Sequence, residues 1–190
     1  MINWWAKKCY EQRISELIPR LYSIAYSWGC SRDICDDLVQ ETIATALDKC
    51  QQLRDPKALN CWVIRILVNA HRQYLRNNRW LTTLDNDELS HEHGPADLLE
   101  SARTVDLVRA GIRMLSAEHQ KILVLVDMEG MSYREASDVL DIKLGTVMSR
   151  LGRARKKLKT ILAESGLDLD ETGEEPSTKK CQPVSLRSVT

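Results

Sequence analysis

Apolar residues recur at steps of three and four along most of the chain, the spacing that is typical of amphipathic α-helices. A first helix is predicted within about the first thirty residues, ending at Gly29; its apolar positions are Ile14, Leu17, Ile18, Leu21 and Ala25. A second helix is predicted at about 33–49 and a third at about 59–80. Between them, 51–59 contains Asp55-Pro56 and is predicted to be a loop that leads into a short turn.

The helical pattern breaks at 82–95, where the chain is polar and acidic and contains Gly94-Pro95, a composition typical of interdomain linkers. Periodicity resumes near Leu98 and predicts four further helices, at about 99–114, 122–126, 133–140 and 144–162. The prediction is an all-α fold with two small helical domains. These are placed at 1–80 and 98–163, joined by a flexible acidic linker at 81–97 and followed by a tail at 164–190.

The tail is acidic and then rich in Pro, Ser, Thr and Lys, without apolar periodicity. A disordered end is favoured for it, and a regulatory peptide is the alternative.

Charge is segregated along the chain, although 27 basic and 27 acidic residues give a formal net charge of zero. No acid occurs between Trp62 and Leu84 or between Asp141 and Glu164, and both segments carry several basic residues. The stretches 33–48 and 85–100 are acidic instead. This distribution favours a protein with two kinds of partner.

Six cysteines occur without a CxxC pair, so free thiols in a reducing cytosol are the default prediction and no metal site is assigned. A metal or redox site built from Cys30, Cys35 and either His91 or His93 is the alternative. No signal peptide or apolar membrane span is recognised. A cytoplasmic protein without membrane insertion is therefore expected.

The predicted third helix has two different sides. Its apolar stripe consists of Val63, Ile66, Leu67, Ala70 and Tyr74. The opposite stripe consists of Arg65, Asn69, Arg72 and Arg76, with Trp62 at its border. Guanidinium groups bind phosphates and aromatic rings stack on unpaired bases, so this side suits opened DNA. An ordinary solvated basic face is the alternative.

The C-terminal helices have the pattern of a helix-turn-helix. Ser116 and Ser132 are expected N-caps, and 141–143 forms the turn before the last helix. The predicted inner positions of that helix are Leu144, Val147, Leu151, Ala154 and Leu158. Opposite them lie Gly145, Ser149, Arg153 and Lys156, flanked by Arg150 and Lys157. This basic side favours duplex DNA in the major groove, although similar helix pairs occur in proteins that bind no DNA.

Several motifs resemble the extracytoplasmic-function (ECF) sigma factors of the sigma-70 family. DDLVQET at 36–42 and WVIRI at 62–66, followed by Asn69, resemble region 2 of that family. LSAEHQ at 115–120, EGMSYREA at 129–136 and LGTVMSRLGRAR at 144–155 resemble region 4. The resemblance covers about 10–162 and preserves the order of the two regions.

The resemblance implies a promoter-specificity subunit whose partners are core RNA polymerase, promoter DNA and an anti-sigma factor, with no cofactor. The implied polymerase contacts are Asp36, Asp37, Gln40 and Glu41. The implied −10 contacts are Arg54, Asp55, Lys57, Trp62, Arg65, Asn69, Arg72 and Arg76. The implied −35 contacts are Tyr133, Thr146, Ser149, Arg150, Arg153, Lys156 and Lys157. Met148 and Gly152 depart from the family pattern, which usually has a basic and a bulky residue there.

Two other classes of function compete with the sigma-factor interpretation. A free-standing regulator that uses only the helix-turn-helix remains the alternative, and it predicts tight duplex binding without polymerase. An enzyme is not predicted, because no arrangement of nucleophile, base, phosphate loop or metal ligands is recognised.

Overall fold

The computed structural model describes residues 4–53, 55–78 and 99–165. Within these ranges the chain forms seven α-helices and no strand, which confirms the all-α prediction. The predicted linker at 81–97 lies outside the described residues, as does the tail beyond residue 165. The domain boundaries therefore stay predictions. No helix in the described part of the chain has the length and apolar character needed to cross a membrane.

The first helical unit consists of α1 (Trp4–Ser27), α2 (Arg32–Lys49) and α3 (Leu59–Asn77). Helix α1 packs against α2, and α2 against α3. Leu21, Val39 and Leu67 are almost completely buried, as their periodic spacing predicts. Gly29 follows α1 with a φ of +80°, a left-handed conformation that glycine adopts without steric cost and that turns the chain into α2.

The predicted loop between α2 and α3 contains two short 3₁₀ turns, Cys50–Gln52 and Pro56–Ala58. The Asp55 side chain caps the second turn by accepting a hydrogen bond from the Lys57 backbone N–H at 2.9 Å. Arg13 of α1 donates to the Pro56 carbonyl at 3.0 Å. These two bonds fix the segment that precedes α3.

The second helical unit consists of α4 (Leu99–Arg113), α5 (Ala117–Leu123), α6 (Tyr133–Leu140) and α7 (Leu144–Glu164). Helix α5 continues into a π-helical turn, Val124–Met128, instead of the single short helix predicted near 122–126. Helix α4 crosses α7 at Gly111, where an added Cβ would lie 2.9 Å from the Leu158 side chain. A larger residue at this crossing would force the two helices apart.

Helices α6 and α7 form the predicted helix-turn-helix. Ser132 and Glu135 form a reciprocal capping box, in which each side chain accepts from the other residue's backbone N–H. Helix α6 ends at Asp141, whose φ of 53° is left-handed, and the Ser137 hydroxyl donates to the Ile142 carbonyl at 2.6 Å. Ser116 occupies the N-cap of α5, but its side chain caps no backbone group among the described residues.

Replacing Ser132 with alanine is expected to destabilise the protein by about 1 kcal/mol and to lower Tm by about 2–4 °C, because the first turn of α6 loses its capping acceptor. Thermal unfolding followed by circular dichroism measures the change. Ser116→Ala is the matched control, since it removes a serine from an N-cap that makes no side-chain capping bond within the described chain. Equal losses for the two variants would contradict the capping argument.

The two helical units pack against each other, with α3 on α6 and α1 on α4 and the π-helical turn. One continuous apolar core runs through both units. Helix α3 therefore buries a second side that the predicted stripe did not include; it comprises Ile64, Val68 and His71. This packing decides which parts of the candidate DNA-binding surface are covered.

Candidate nucleic-acid interface

The predicted basic stripe of α3 forms one side of a single helix, so the backbone fixes its spacing. Asn69, Arg72 and Arg76 are exposed, and Arg65 is half-buried. Two of its arginines bond to other residues of the same helix, since Arg72 donates to Asn69 Oδ1 at 3.5 Å and Arg76 donates to Gln73. We call Arg65, Asn69, Arg72 and Arg76 the α3 basic face.

Trp62 does not lie exposed beside this face. Its side chain is only 5% exposed and belongs to the apolar core, so this conformation does not present the aromatic ring to DNA, and the −10 contact of Trp62 stays a prediction. A large indole at the border between two stripes gains more by burying its ring than by facing water.

Of the remaining predicted −10 residues, Lys57 is exposed, whereas the Asp55 carboxylate caps its own turn. Arg54 lies outside the described residues.

The second unit covers part of the α3 basic face. Arg72 donates to the backbone carbonyl of Leu140, at the end of α6. Arg65 lies 3.9 Å from the carboxylate of Asp141 in the turn between α6 and α7. Partial burial is the main cause that lowers the pKa of Arg72, partly offset by the charge of Asp141. Two of the four residues of the face are thus engaged by the helix-turn-helix.

Other polar contacts between the two units lie near the contact of Arg65 and Arg72 with the end of α6. Arg20 of α1 pairs with the Glu129 carboxylate, which is 11% exposed, and also donates to the Glu129 carbonyl at 3.2 Å. The Cys61 thiol lies 3.8 Å from a carboxylate oxygen of Glu135. Sequence reasoning missed Arg20 and Glu129, because nothing in their local pattern distinguishes them from solvated surface residues.

Helix α7 presents the second predicted DNA-binding side. Gly145, Ser149, Arg153 and Lys156 are all exposed, as is Lys157; we call these five residues the α7 basic face. Arg153 donates to the Ser149 carbonyl at 3.1 Å, which holds its aliphatic stem against the helix. Because α7 follows the α6 turn directly, this face occupies the position of a recognition helix.

The residues that flank the α7 basic face are less accessible. Arg150 is half-buried and pairs with Glu118 at 2.9 Å, while Thr146 and Tyr133 are also half-buried. Met148 is 50% exposed, and a Cβ added at Gly152 would meet no described atom within 4 Å. The two positions expected to depart from the family pattern therefore lie at open positions of this helix.

One inner position of α7 was predicted wrongly. Leu144 is 38% exposed, whereas Val147, Leu151 and Ala154 are buried as predicted. Leu144 is the first residue of α7, where the helix has only begun to approach the core. The apolar stripe of α7 therefore starts one turn later, at Val147.

His119 of α5 is a further candidate that the sequence did not single out. Burial and the nearby charges of Arg153 and Lys157 lower the pKa of its imidazole. A histidine kept neutral beside a basic face can donate a hydrogen bond to a phosphate without adding to the local positive charge. Its position beside the charges of α7 follows only from the fold.

The predicted polymerase-binding residues share the outer side of α2. Asp37, Gln40 and Glu41 are exposed, and we call these three the α2 acidic face. Asp36 is half-buried and accepts a hydrogen bond from Tyr22 of α1, which raises the pKa of the tyrosine. The α2 acidic face repels DNA phosphates, so it suits a protein partner.

Metal ligands are not grouped in the described structure: no set of three His, Cys, Asp or Glu side chains there is placed to hold a metal ion. His91 and His93, the histidines of the alternative metal site, lie outside the described residues. The structure instead places His71 beside Cys30, with Nε2 and Sγ 3.7 Å apart.

Two family models match the chain, Sigma-70 region 2 over residues 14–81 and Sigma-70 region 4 over residues 106–158. The ECF RNA polymerase sigma factor EcfG of Rhodopseudomonas palustris is 31% identical over 155 residues, which cover 80% of this chain and 83% of that protein. The chain belongs to the ECF family of RNA polymerase sigma factors. Its α3 basic face lies in region 2 and its α7 basic face in region 4.

Solved structures agree with the fold of this sigma factor. The sigma factor RpoE in complex with the anti-sigma factor NepR, from Bartonella quintana, is 28% identical with a TM-score of 0.69, covering 82% of this chain and 98% of that one. CnrH in complex with the cytosolic domain of CnrY is 27% identical with a TM-score of 0.60, covering 84% of this chain and 94% of that one. Both similarities extend over the two helical units.

Proposed function

We propose that this sigma factor acts in the cytoplasm, binds core RNA polymerase and directs initiation at specific promoters. The observation that carries the proposal is the presence of two separate basic helix faces, each in its own sigma-70 region. The α3 basic face binds the opened −10 element, since guanidinium and amide groups on one helix suit the phosphates and base edges of a single strand. The α7 basic face reads the −35 element in the major groove. The sigma factor supplies specificity, and catalysis of RNA synthesis belongs to the polymerase.

The α2 acidic face is proposed to dock on core polymerase. It is exposed, lies in the same unit as the α3 basic face, and carries the charge that DNA disfavours. Docking through α2 brings α3 to the DNA only where polymerase is present. This arrangement explains why a sigma factor needs its protein partner to act at a promoter.

An anti-sigma factor is proposed as the second protein partner. Both solved relatives are described as complexes, one with the anti-sigma factor NepR and the other with the cytosolic domain of CnrY. This chain matches them over more than four fifths of its length. A partner that held the two helical units together would keep Arg65 and Arg72 engaged at the α6–α7 turn.

The decisive experiment adds the purified full chain to bacterial core RNA polymerase with genomic DNA fragments and maps the 5′ ends of the transcripts. We expect a complex with core enzyme and a set of starts that share −10 and −35 sequences. Failure to bind core enzyme or to initiate any transcript would contradict the proposal. Tight, sequence-specific duplex binding without polymerase would instead support the free-standing regulator.

The packing of the two units predicts a further effect. Arg20→Met is expected to increase the affinity of the free protein for a fluorescent single-stranded DNA of mixed sequence by about threefold or more, because loss of the pair with Glu129 favours separation of the units and frees Arg65 and Arg72. Fluorescence anisotropy measures the affinity. The substitution also removes a positive charge, and that loss by itself weakens DNA binding. An increase in affinity would therefore have to come from the freed arginines.

Arg109→Met is the control for this variant. Arg109 is an exposed arginine of α4 whose partner is Asp106 on the same helix, so its loss removes the same charge without affecting the contact between the units. We expect weaker DNA binding in this control. The same weakening in Arg20→Met would show that the contact does not restrict access to α3.

A further inference from the structure

Two thiols lie together at the junction of α1 and α2. Cys30 is half-buried in the turn between these helices, and Cys35 is fully buried in the first turn of α2. The Cys35 thiol donates to the Cys30 carbonyl at 3.6 Å and lies close enough to the Cys30 thiol to affect its pKa. Cys30 is thus the more exposed of two neighbouring cysteines, and the buried Cys35 thiol contacts its backbone carbonyl.

Two nitrogen-bearing side chains complete the surroundings of Cys30. His71 of α3 places Nε2 3.7 Å from the Cys30 sulfur, is 2% exposed, and stacks on Trp28 with ring centroids 4.8 Å apart. Its other ring nitrogen has no hydrogen-bond partner among the described residues. Lys121 of α5 is only 5% exposed, and its ammonium lies 6.0 Å from the centroid of the Trp28 ring. A buried cation is costly unless a negative group compensates for it.

The charges and hydrogen bonds around the two thiols indicate that Cys30 is the one that ionises more readily. A hydrogen bond from Cys35 is the main cause that holds the pKa of the Cys30 thiol below its ordinary value, helped by His71 and Lys121 against the opposing effect of burial. The Cys30 thiolate in turn raises the pKa of Lys121, which burial and Arg72 lower to about 8. Cys61 shows the opposite behaviour, since burial and the Glu135 carboxylate raise its pKa to about 11. Low-pKa, accessible thiols beside a second thiol are the ones that react with peroxides.

We propose that Cys30 and Cys35 form a hydroperoxide-reactive pair, in which Cys30 attacks the oxidant, Cys35 resolves the product as a disulfide, and His71 and Lys121 position and stabilise the attacking thiolate. Lys121 comes from the second helical unit, whereas the other three residues come from the first. The site is therefore complete only while the two units are packed together.

The reaction is balanced with hydrogen peroxide as the oxidant. The Cys30 thiolate attacks one peroxide oxygen, so that an S–O bond forms, the O–O bond breaks, and the departing hydroxide takes a proton to become water. Cys30 is oxidised by two electrons to sulfenic acid while peroxide is reduced. The Cys35 sulfur then attacks the sulfenic sulfur, an S–S bond forms, and the S–O bond breaks. The second hydroxide takes the Cys35 proton and leaves as water.

The sequence allows an unambiguous test, because Arg32 lies between the two cysteines. The reduced full chain is treated with hydrogen peroxide, alkylated, denatured and digested with trypsin, and the peptides are identified by mass spectrometry. A Cys30–Cys35 disulfide joins peptide 21–32 to peptide 33–49, whereas Cys50 and Cys61 fall in other peptides. We expect this linked pair to be the first oxidation product. Both peptides recovered alkylated, while other cysteines are oxidised, would overturn the proposal.

A second measurement separates the roles of the two thiols. In Cys35→Ser the sulfenic acid at Cys30 has no resolving partner, so dimedone is expected to label peptide 21–32 after peroxide treatment. No dimedone adduct there would overturn the assignment of Cys30 as the attacking residue. Cys61→Ser is the matched control, and it should form the 21–32 to 33–49 link at the rate of the unmodified protein.

Lys121→Met tests the electrostatic part of the site. Methionine keeps the length of the buried side chain and removes the charge, so the pH at which Cys30 reaches half of its maximal alkylation rate should rise by about half a unit to one unit.

In the unmodified protein at pH 6, Cys30 should be alkylated at least about tenfold faster than Cys61, because an ordinary thiol is scarcely ionised at that pH. Equal rates for Cys30 and Cys61, or stoichiometric zinc released when the thiols are blocked, would overturn the proposal.

Discussion

Replacing Arg153 with glutamate is expected to reduce −35-dependent transcription by about tenfold to a hundredfold, because one arginine contact in the major groove contributes about 1–3 kcal/mol and the new carboxylate repels phosphates. Arg153 is exposed in the middle of α7, and its guanidinium is bonded only to groups of the same helix among the described residues. Its loss therefore leaves the core of the unit intact. Run-off transcription from a mapped promoter, with the −35 element either present or scrambled, measures the effect.

The control for this variant is Arg109→Glu, which makes the same change of charge on α4 of the same unit, where Arg109 pairs only weakly with Asp106. We expect from it at most a small loss of transcription that does not depend on the −35 element. Both variants should bind core polymerase as the unmodified protein does. If Arg153→Glu instead lost affinity for core enzyme, the assignment of α7 to DNA would be wrong.

The neighbours of Arg153 bear on the −35 sequence that we expect this sigma factor to read. Met148 is half-exposed and Gly152 leaves open space beside the helix, so neither supplies a charged contact at the edge of the groove. For the proposed −35 contact, we therefore expect discrimination to depend more strongly on Ser149 and Arg153. A site read by few side chains has lower affinity, which makes it more dependent on the contacts of polymerase and region 2.

The helices could be predicted from the sequence because their apolar spacing is local information. The positions of Val63, Leu67 and Ala70 on the inner side of α3 follow from the helical period alone, and the exposed side of α7 follows in the same way. The capping box at Ser132 also depends on residues only three positions apart. Predictions of this kind are weaker at element ends, as Leu144 shows.

The contact between the two units could not be predicted in this way, because it joins residues far apart in the chain. Nothing in the local pattern indicates that Lys121 and His71 become buried or that Arg72 bonds to Leu140. Trp62 was assigned to the DNA-binding side because helical projection alone does not show how far a neighbouring helix extends. Buried polar residues of this kind are determined by tertiary packing, and here they coincide with the covered part of the candidate site.

The double substitution of Asp37 and Glu41 by lysine is expected to weaken binding to core RNA polymerase by about tenfold or more. The two lysines would repel the positive charge that is expected on a partner surface complementary to the α2 acidic face. Both side chains are exposed on α2, so the change should leave the packing of α1, α2 and α3 unaltered. Binding to core enzyme, measured by fluorescence with a labelled sigma factor, gives the affinity. The affinity of the α7 basic face for DNA should not fall.

Glu11→Lys together with Glu16→Lys supplies the matched control, since both residues are exposed on α1 of the same unit and the total change of charge is the same. If reversal of charge on α1 weakened core binding equally, the effect would belong to the net charge of the unit. If reversal on α2 left core binding undiminished, the α2 acidic face could not be the docking surface. A selective loss on α2 would show that position, in addition to charge, determines the contact, as expected for a rigid helix that presents three neighbouring polar side chains to one partner.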